Sequence, residues 1–140
     1  MTVPNVDVNY LAVFVSAIVS MILGSLWYSP LLFGNAWMKL SGAKKDMNKA
    51  KAKGMIGSYL AMFIGVLLTA FILAHFVQYV TASSFFEGMQ AGVWLWLGFI
   101  APVLLGSMLW EGKPFRYYLI NVIYHLINLA VMGGILAVWQ

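Results

Sequence analysis

The chain has 140 residues, of which 63% are hydrophobic and 9% charged, with a formal net charge of +4 and a sequence pI near 9.4. Soluble domains carry about a quarter of their residues as charges, so this composition excludes an ordinary water-soluble fold and marks a membrane protein. The absence of cysteine excludes disulfides, thiolate metal sites and cysteine nucleophiles.

Four apolar stretches, at about 9–28, 55–80, 88–110 and 116–139, each supply the ~20 residues that a helix rising ~1.5 Å per residue needs to cross ~30 Å of hydrocarbon. They use nearly all of residues 1–140, which reads as a single transmembrane domain whose sites are built from helices and short connections. The first eight residues carry only Asp7 and no basic n-region, and the first span is too long for a signal-peptide core, so it is expected to remain uncleaved.

In the first span Ser16, Ser20 and Gly24 recur every fourth residue, a small edge that lets another helix approach closely. The span ends in Trp27-Tyr28-Ser29-Pro30, where the rings suit the membrane interface and the proline disfavours helix at Ser29. Residues 31–40, with Phe33, Trp37 and Lys39, predict a short segment at head-group level. A basic connection follows, at about 35–54. The second span repeats the small-residue edge at Gly57, Ala61, Gly65 and Thr69, and closes with His75, Gln78 and Tyr79 near the far surface. A short turn, 81–84, makes the second and third helices expected antiparallel neighbours. The third span holds Gly98 and Pro102 near its middle. Proline lacks a donor and presses on the carbonyl four residues earlier, so a kink at Pro102 and an unsatisfied carbonyl at Gly98 are expected. Glu111-Gly112-Lys113-Pro114 is a tight turn into the last span.

All eight basic residues lie on two connections: Lys39, Lys44, Lys45, Lys49, Lys51 and Lys53 on one, Lys113 and Arg116 on the other. The N-terminal tail, the 81–87 segment and the C-terminus have none. By the positive-inside rule both basic connections face the cytoplasm and both termini face outward, in a plasma (inner) membrane. The high pI is therefore a topology signal rather than a nucleic-acid footprint, and Lys44, Lys45, Lys49, Lys51 and Lys53 are expected to touch anionic lipid head groups.

The last span carries the chain's most pointed polar pattern. Asn121, His125 and Asn128 fall at i, i+4 and i+7 on one helical face, with Tyr118 a turn before and Met132 a turn after. Lipid offers these side chains no partner, so the face must turn toward other helices or a wet cavity. Counting inward, His125 and Pro102 fall at similar depth, which places His125 or Asn121 beside the loosened backbone at Gly98. With Tyr118 and Tyr124, these residues form the candidate ligand-binding set. The competing reading is that they simply join helices.

Other chemistries fit less well. A haem held by His75 and His125 needs both at one level, yet His75 lies roughly 11 Å outward of its span's centre and His125 roughly 4 Å inward of its own. A metal site lacks a third nitrogen or oxygen ligand beyond Asn and Tyr, and no cofactor is called for. Ser25 or Ser107 with His125 as base is the formula of a hydrolase, but serine in a membrane helix is commonly a packing residue bonded back to its own helix. Proton-coupled antiport relies on an intramembrane carboxylate, whereas Glu87 and Glu111 sit near span ends. A weak echo links Leu23-Gly24-Ser25-Leu26-Trp27 and Pro30 with Leu105-Gly106-Ser107-Met108-Leu109-Trp110 and Pro114, as in a repeated helix pair.

The run Gly24-Ser25-Leu26-Trp27-Tyr28-Ser29-Pro30-Leu31-Leu32-Phe33-Gly34, then Trp37, resembles the small bacterial and fungal membrane proteins grouped as domain of unknown function 1761. Trp96-Leu97-Gly98-Phe99, Trp110-Glu111-Gly112-Lys113-Pro114, Asn121, Tyr124-His125, Met132-Gly133 and Trp139 extend the resemblance over nearly the whole chain. It implies a four-helix integral membrane fold and brings no activity, cofactor or catalytic residue with it.

The expected fold is all-α: an integral membrane four-helix antiparallel bundle, both termini outside, third helix kinked at Pro102. Ser16, Ser20, Gly24, Gly57, Ala61 and Gly65 are the expected helix-packing positions, and a homo-oligomer is favoured because four spans enclose little volume. The leading function is a small transporter or channel-like protein taking a small polar or amphipathic molecule at the fourth helix. The alternative is a noncatalytic scaffold or accessory subunit of a larger membrane complex, and an intramembrane enzyme ranks third.

Overall fold

A computed structural model describes residues 5–41 and 46–140, with the side chains of 46–55 left aside. Among the described residues every regular element is helical: α1 (Tyr10–Trp27), α2 (Gly34–Ser41), α3 (Asp46–Tyr79), α4 (Phe85–Leu95), a π-helical turn (Trp96–Ile100), α5 (Ala101–Leu109) and α6 (Phe115–Val138). Four helical segments are long and apolar enough to cross a membrane: Tyr10–Trp27, Ile56–Tyr79, Phe85–Leu109 and Phe115–Val138. The protein is a multi-pass membrane protein. Lys44 and Lys45, and the side chains of Lys49, Lys51 and Lys53, lie outside the described residues, so the head-group expectation falls there too.

Local sequence sets the boundaries. Asn9 caps α1, its Oδ1 accepting from the N–H groups of Leu11 and Ala12 at 3.1 and 3.2 Å, which satisfies donors that a helix start leaves open. Ser84 does the same for α4, its Oγ accepting from Glu87 N–H at 3.1 Å. Pro114 precedes α6 in an extended conformation, as a residue without a backbone donor suits a helix start.

The packing centres on α6, which contributes Met132, Leu136 and Ala137 to a core completed by Ala12, Val13 and Ala17 of α1 and Val66, Ala70, Leu73, Ala74 and Val77 of α3. The tightest contact joins α4 to α6. A Cβ added at Gly88 would land on the Gly133 carbonyl, and one at Gly92 on the Leu129 carbonyl. Lipid tails are as apolar as the core, so close backbone approach and dispersion, rather than water exclusion, hold such a pair.

The small edge of α1 is used inside the chain, with Ser16 and Ser20 fully buried. The edge of α3 is not: Gly57, Ala61 and Gly65 are exposed, and a Cβ at Gly57 or Gly65 would meet nothing within 4 Å. The face of α3 that packs is Val66, Ala70, Leu73, Ala74 and Val77, beginning where α3 draws level with the α1 core. The third span is irregular a few residues before Pro102. Its irregular turn lies at Trp96–Ile100, where the Ala101 N–H reaches back to the Trp96 carbonyl. That extra residue leaves Pro102 in the first turn of α5, where a missing donor costs nothing.

Candidate functional site

The segment between α1 and α2 folds back tightly and grips the start of α6. Phe33 N–H donates to the Trp27 carbonyl at 3.0 Å and Gly34 N–H to the Ser29 carbonyl at 2.9 Å. Gly34 is buried, and a Cβ there would collide with the backbone of Tyr28 and Ser29, so the turn needs glycine. The fold-back sets Phe33 against Trp27, ring centroids 4.5 Å apart and tilted by 40°, and aims two adjacent aromatic side chains at α6. Trp27 Nε1–H donates to the Ile120 carbonyl at 3.0 Å, and the Tyr28 hydroxyl donates to Asn121 Oδ1 at 2.6 Å. Trp37 completes the cluster, edge-on to Tyr28 and stacked on Tyr117.

A matching pair of bonds ties the third span to the same stretch. Trp96 Nε1–H, at the first position of the π turn, donates to the Val122 carbonyl at 2.8 Å, and the Tyr118 hydroxyl donates to the Ala101 carbonyl at 2.9 Å. A carbonyl has two lone pairs, so Ile120 and Val122 accept these indoles while staying in the helix. In lipid an indole or phenol without such an acceptor would be left unpaired.

The expected ligand-binding residues divide among several environments. Asn121 is half-buried and holds Tyr28. Tyr124 is buried between α1 and α6, its hydroxyl 3.5 Å from the Ser20 carbonyl and its ring 5.3 Å from that of Tyr28. A Cβ at Gly24 would lie 2.9 Å from the Tyr124 hydroxyl, so Gly24 makes room for the phenol. His125 is half-buried beside Tyr124, ring centroids 5.1 Å apart. Asn128 is 6% exposed, and its Oδ1, like the Oγ atoms of Ser16 and Ser20, is buried with no hydrogen-bond partner among the described residues. Tyr118 serves the α5 backbone. Gly98 is exposed, with open space where a Cβ would be. The Tyr118 hydroxyl donates to the Ala101 carbonyl of the third span rather than to that of Gly98.

Of the expected ligand-binding residues, Tyr124 alone lines the cleft that lies between α1, α3 and α6. It encloses about 650 Å³, with Tyr28, Tyr124, Ser20 and Ser58 as polar lining and Met21, Met62 and Val66 as apolar lining. An apolar groove of about 780 Å³ adjoins it, sharing Met21, Ser25 and Tyr59. Ligand pockets of small molecules commonly have this size and this mixture, mostly apolar with a few placed polar groups.

Sequence reasoning named Tyr124 among the candidate residues, and it missed the tertiary bonds of Tyr28 and Trp27, whose rings it assigned to the membrane interface, and of Trp96. The position of Tyr28 immediately before a helix-disfavouring Ser29-Pro30 was the available signal, since a chain that turns there carries its last side chains inward. Local spacing does not single out Trp96, which the sequence marks only through its place in the family resemblance. Of the two histidines, His75 has Nδ1 2.8 Å from the Phe71 carbonyl, an acceptor that requires the Nδ1–H tautomer and ties the ring to its own helix. The two arms of the suspected repeat also differ: Trp27 is half-buried and bonded, whereas Trp110 is 87% exposed.

Fold and seam together define a small four-span helical membrane protein whose first and last helices are clasped by tyrosine, tryptophan and asparagine. The chain belongs to the family described as Protein of unknown function (DUF1761), whose model matches residues 11–137. No curated protein and no solved structure matches it.

Proposed function

We propose that the chain is a small transporter or channel-like protein that binds an amphipathic molecule in the cleft between α1, α3 and α6. The carrying observation is the pairing, in one cleft of about 650 Å³, of the Tyr28 and Tyr124 side chains with the apolar surface of Met21, Met62 and Val66. The phenols suit the polar end of the molecule, and the adjoining groove of about 780 Å³ suits its apolar part. Asn121 acts from behind, fixing Tyr28 through the 2.6 Å bond. In this reading the four helices run antiparallel with both termini outside the plasma membrane, and the basic connections face the cytoplasm against anionic head groups.

The exposed edge at Gly57, Ala61 and Gly65 supports a homo-oligomer, and supports equally a second reading, a noncatalytic scaffold or accessory subunit of a larger complex. Native mass spectrometry of the protein released from lipid nanodiscs separates the two. Binding requires a defined assembly carrying one discrete mass that is lost in Ser58→Trp, which fills the cleft from an exposed position and leaves the core untouched. An empty protein, or one carrying only a heterogeneous lipid population, overturns the binding proposal and favours the scaffold.

A further inference from the structure

A second groove, apart from the cleft above, lies between α3 and α4 at the 80–84 turn, and its chemistry is different. It holds about 410 Å³ and is lined by Glu87, Gln90 and Trp94 of α4 and by Phe76 and Val80 from the α3 end. The lining follows from helix spacing: Glu87, Gln90 and Trp94 are i, i+3 and i+7 on one face, and Phe76 and Val80 are i and i+4. The aromatic walls are not spent on the core, since Trp94 is 73% and Phe76 39% exposed.

We infer that this groove binds an organic ammonium group. Three features set its sign. Glu87 supplies a carboxylate held in place by the α4 cap: Oε2 accepts from Ser83 N–H at 3.1 Å while Glu87 N–H donates to Ser84 Oγ at 3.1 Å. That reciprocal arrangement leaves the second carboxylate oxygen for a ligand. The groove also borders the C-terminal end of α3, which ends at Tyr79 and where the helix dipole is negative. No Lys or Arg occurs between Gly54 and Gly112, and among the described residues Glu87 has no cationic partner. The walls choose the kind of cation. A hard metal ion takes six or more oxygens, which one carboxylate and one amide do not provide. An alkylated ammonium instead sets its charge beside the Glu87 carboxylate and its alkyl carbon against the aromatic and apolar lining of Phe76, Val80 and Trp94, where aromatic rings favour a cation.

Two sources carry such a group, a lipid head group and a free alkylammonium. Glu87 and Phe76 lie roughly 3 and 5 Å from the ends of their helices at ~1.5 Å per residue, a depth that either source reaches, while Trp94, deeper on α4, leans back toward the helix start as helical side chains do and forms the floor of the groove.

The test is calorimetric titration of tetraethylammonium chloride into the full chain in phosphatidylglycerol nanodiscs, with sodium chloride as the ionic-strength control. Saturable binding is expected, weakened about tenfold or more in Glu87→Gln and in Trp94→Leu. Glutamine preserves the cap, so the Glu87→Gln effect reports charge rather than folding. Repeating the titration with phosphatidylcholine added to the nanodisc identifies the source. A fall in apparent affinity means that the lipid head group competes for the groove, and an unchanged affinity means that it takes free ammonium. Absence of saturable binding, or equal affinity in wild type and both variants, overturns the assignment.

Discussion

Tyr28 and Asn121 show how a single polar pair acts when the solvent is lipid. The phenol donates to Asn121 Oδ1 at 2.6 Å across two helices that are 93 residues apart in sequence. In water both groups would find other partners on separation. In a bilayer they find fewer, yet the unfolded-in-membrane chain still offers some, so interhelical bonds measure only ~0.6 kcal/mol on average and ~1.7 at most. The cycle of Tyr28→Phe, Asn121→Leu and the double variant, read by reversible unfolding in bicelles, is therefore expected to give a coupling of ~0.6 to 1.7 kcal/mol. Additive single effects would mean that the short bond contributes nothing. The i, i+4, i+7 spacing put Asn121, His125 and Asn128 within about 60° of one another around the helix. It could not say that Asn121 meets a tyrosine of another helix and Asn128 a buried position where its Oδ1 has no partner among the described residues. A face is a property of one helix, whereas a partner depends on the register of the next. That register is visible once Trp27 meets Ile120, Tyr28 meets Asn121 and Gly24 meets Tyr124. Continued one turn along both helices, it brings Asn128 to the level of Ser20, two buried side chains whose oxygens have no partner among the described residues.

At the scale of elements, the informative contrast is between glycines that look alike in sequence. Gly57 and Gly65 stand on a small-residue edge of α3, and Gly88 and Gly92 stand four apart on α4. Only the second pair faces a helix. The spacing of small residues marks a face on which backbones are able to approach, and says nothing of whether a neighbour takes it up. The signal that was passed over is the matching Gly133-Gly134 on α6, which supplies a second flat surface at complementary depth. A methyl group at Gly88 has no room, because its neighbours are the Gly133 backbone and the Ala137 Cβ rather than the ends of flexible side chains. Gly88→Ala is expected to force α4 and α6 apart and to cost ~1–3 kcal/mol, the usual range for overpacking. Gly65→Ala, with nothing within 4 Å, is expected to leave the stability of the isolated protomer unchanged. Thermal unfolding of both variants beside wild type checks this, and equal midpoints would show that the α4–α6 contact is looser than described. The same reasoning explains the third span. Proline announced an irregularity, but the structure answers it with a π turn at Trp96–Ile100, set by where Trp96 reaches the Val122 carbonyl and Tyr118 reaches Ala101. Those are tertiary bonds that a local rule for proline does not contain.

For the whole molecule, hydrogen bonds between distant segments sort the chain ends from the basic connections. Asn9 Nδ2 donates to the Trp139 carbonyl, Gln78 Nε2 to the Asp7 carbonyl and Gln140 Nε2 to the Ala82 carbonyl, which draws both termini and the 80–84 turn into one group. In a second group Lys113 Nζ donates to the Ser41 carbonyl at 2.7 Å and stands over the Tyr117 ring, joining the two connections that carry every Lys and Arg of the chain. The first group has none. A charge difference of eight against none is the pattern that orients multi-pass proteins with the basic side in the cytoplasm, so both termini and the Ser83 turn are expected outside and the Glu111 turn inside. Having no native cysteine, the chain accepts single reporters without background. Ser83 and Glu111 are both exposed, and neither lies in the α1–α3–α6 cleft. A membrane-impermeant maleimide applied to intact cells is expected to label Ser83→Cys, and to label Glu111→Cys only after the membrane is opened. Labelling of Glu111→Cys in intact cells with protection of Ser83→Cys would invert the topology. It would also move the ammonium groove to the cytoplasmic leaflet, where its lipid competitor would have to be sought among the amine head groups of that side.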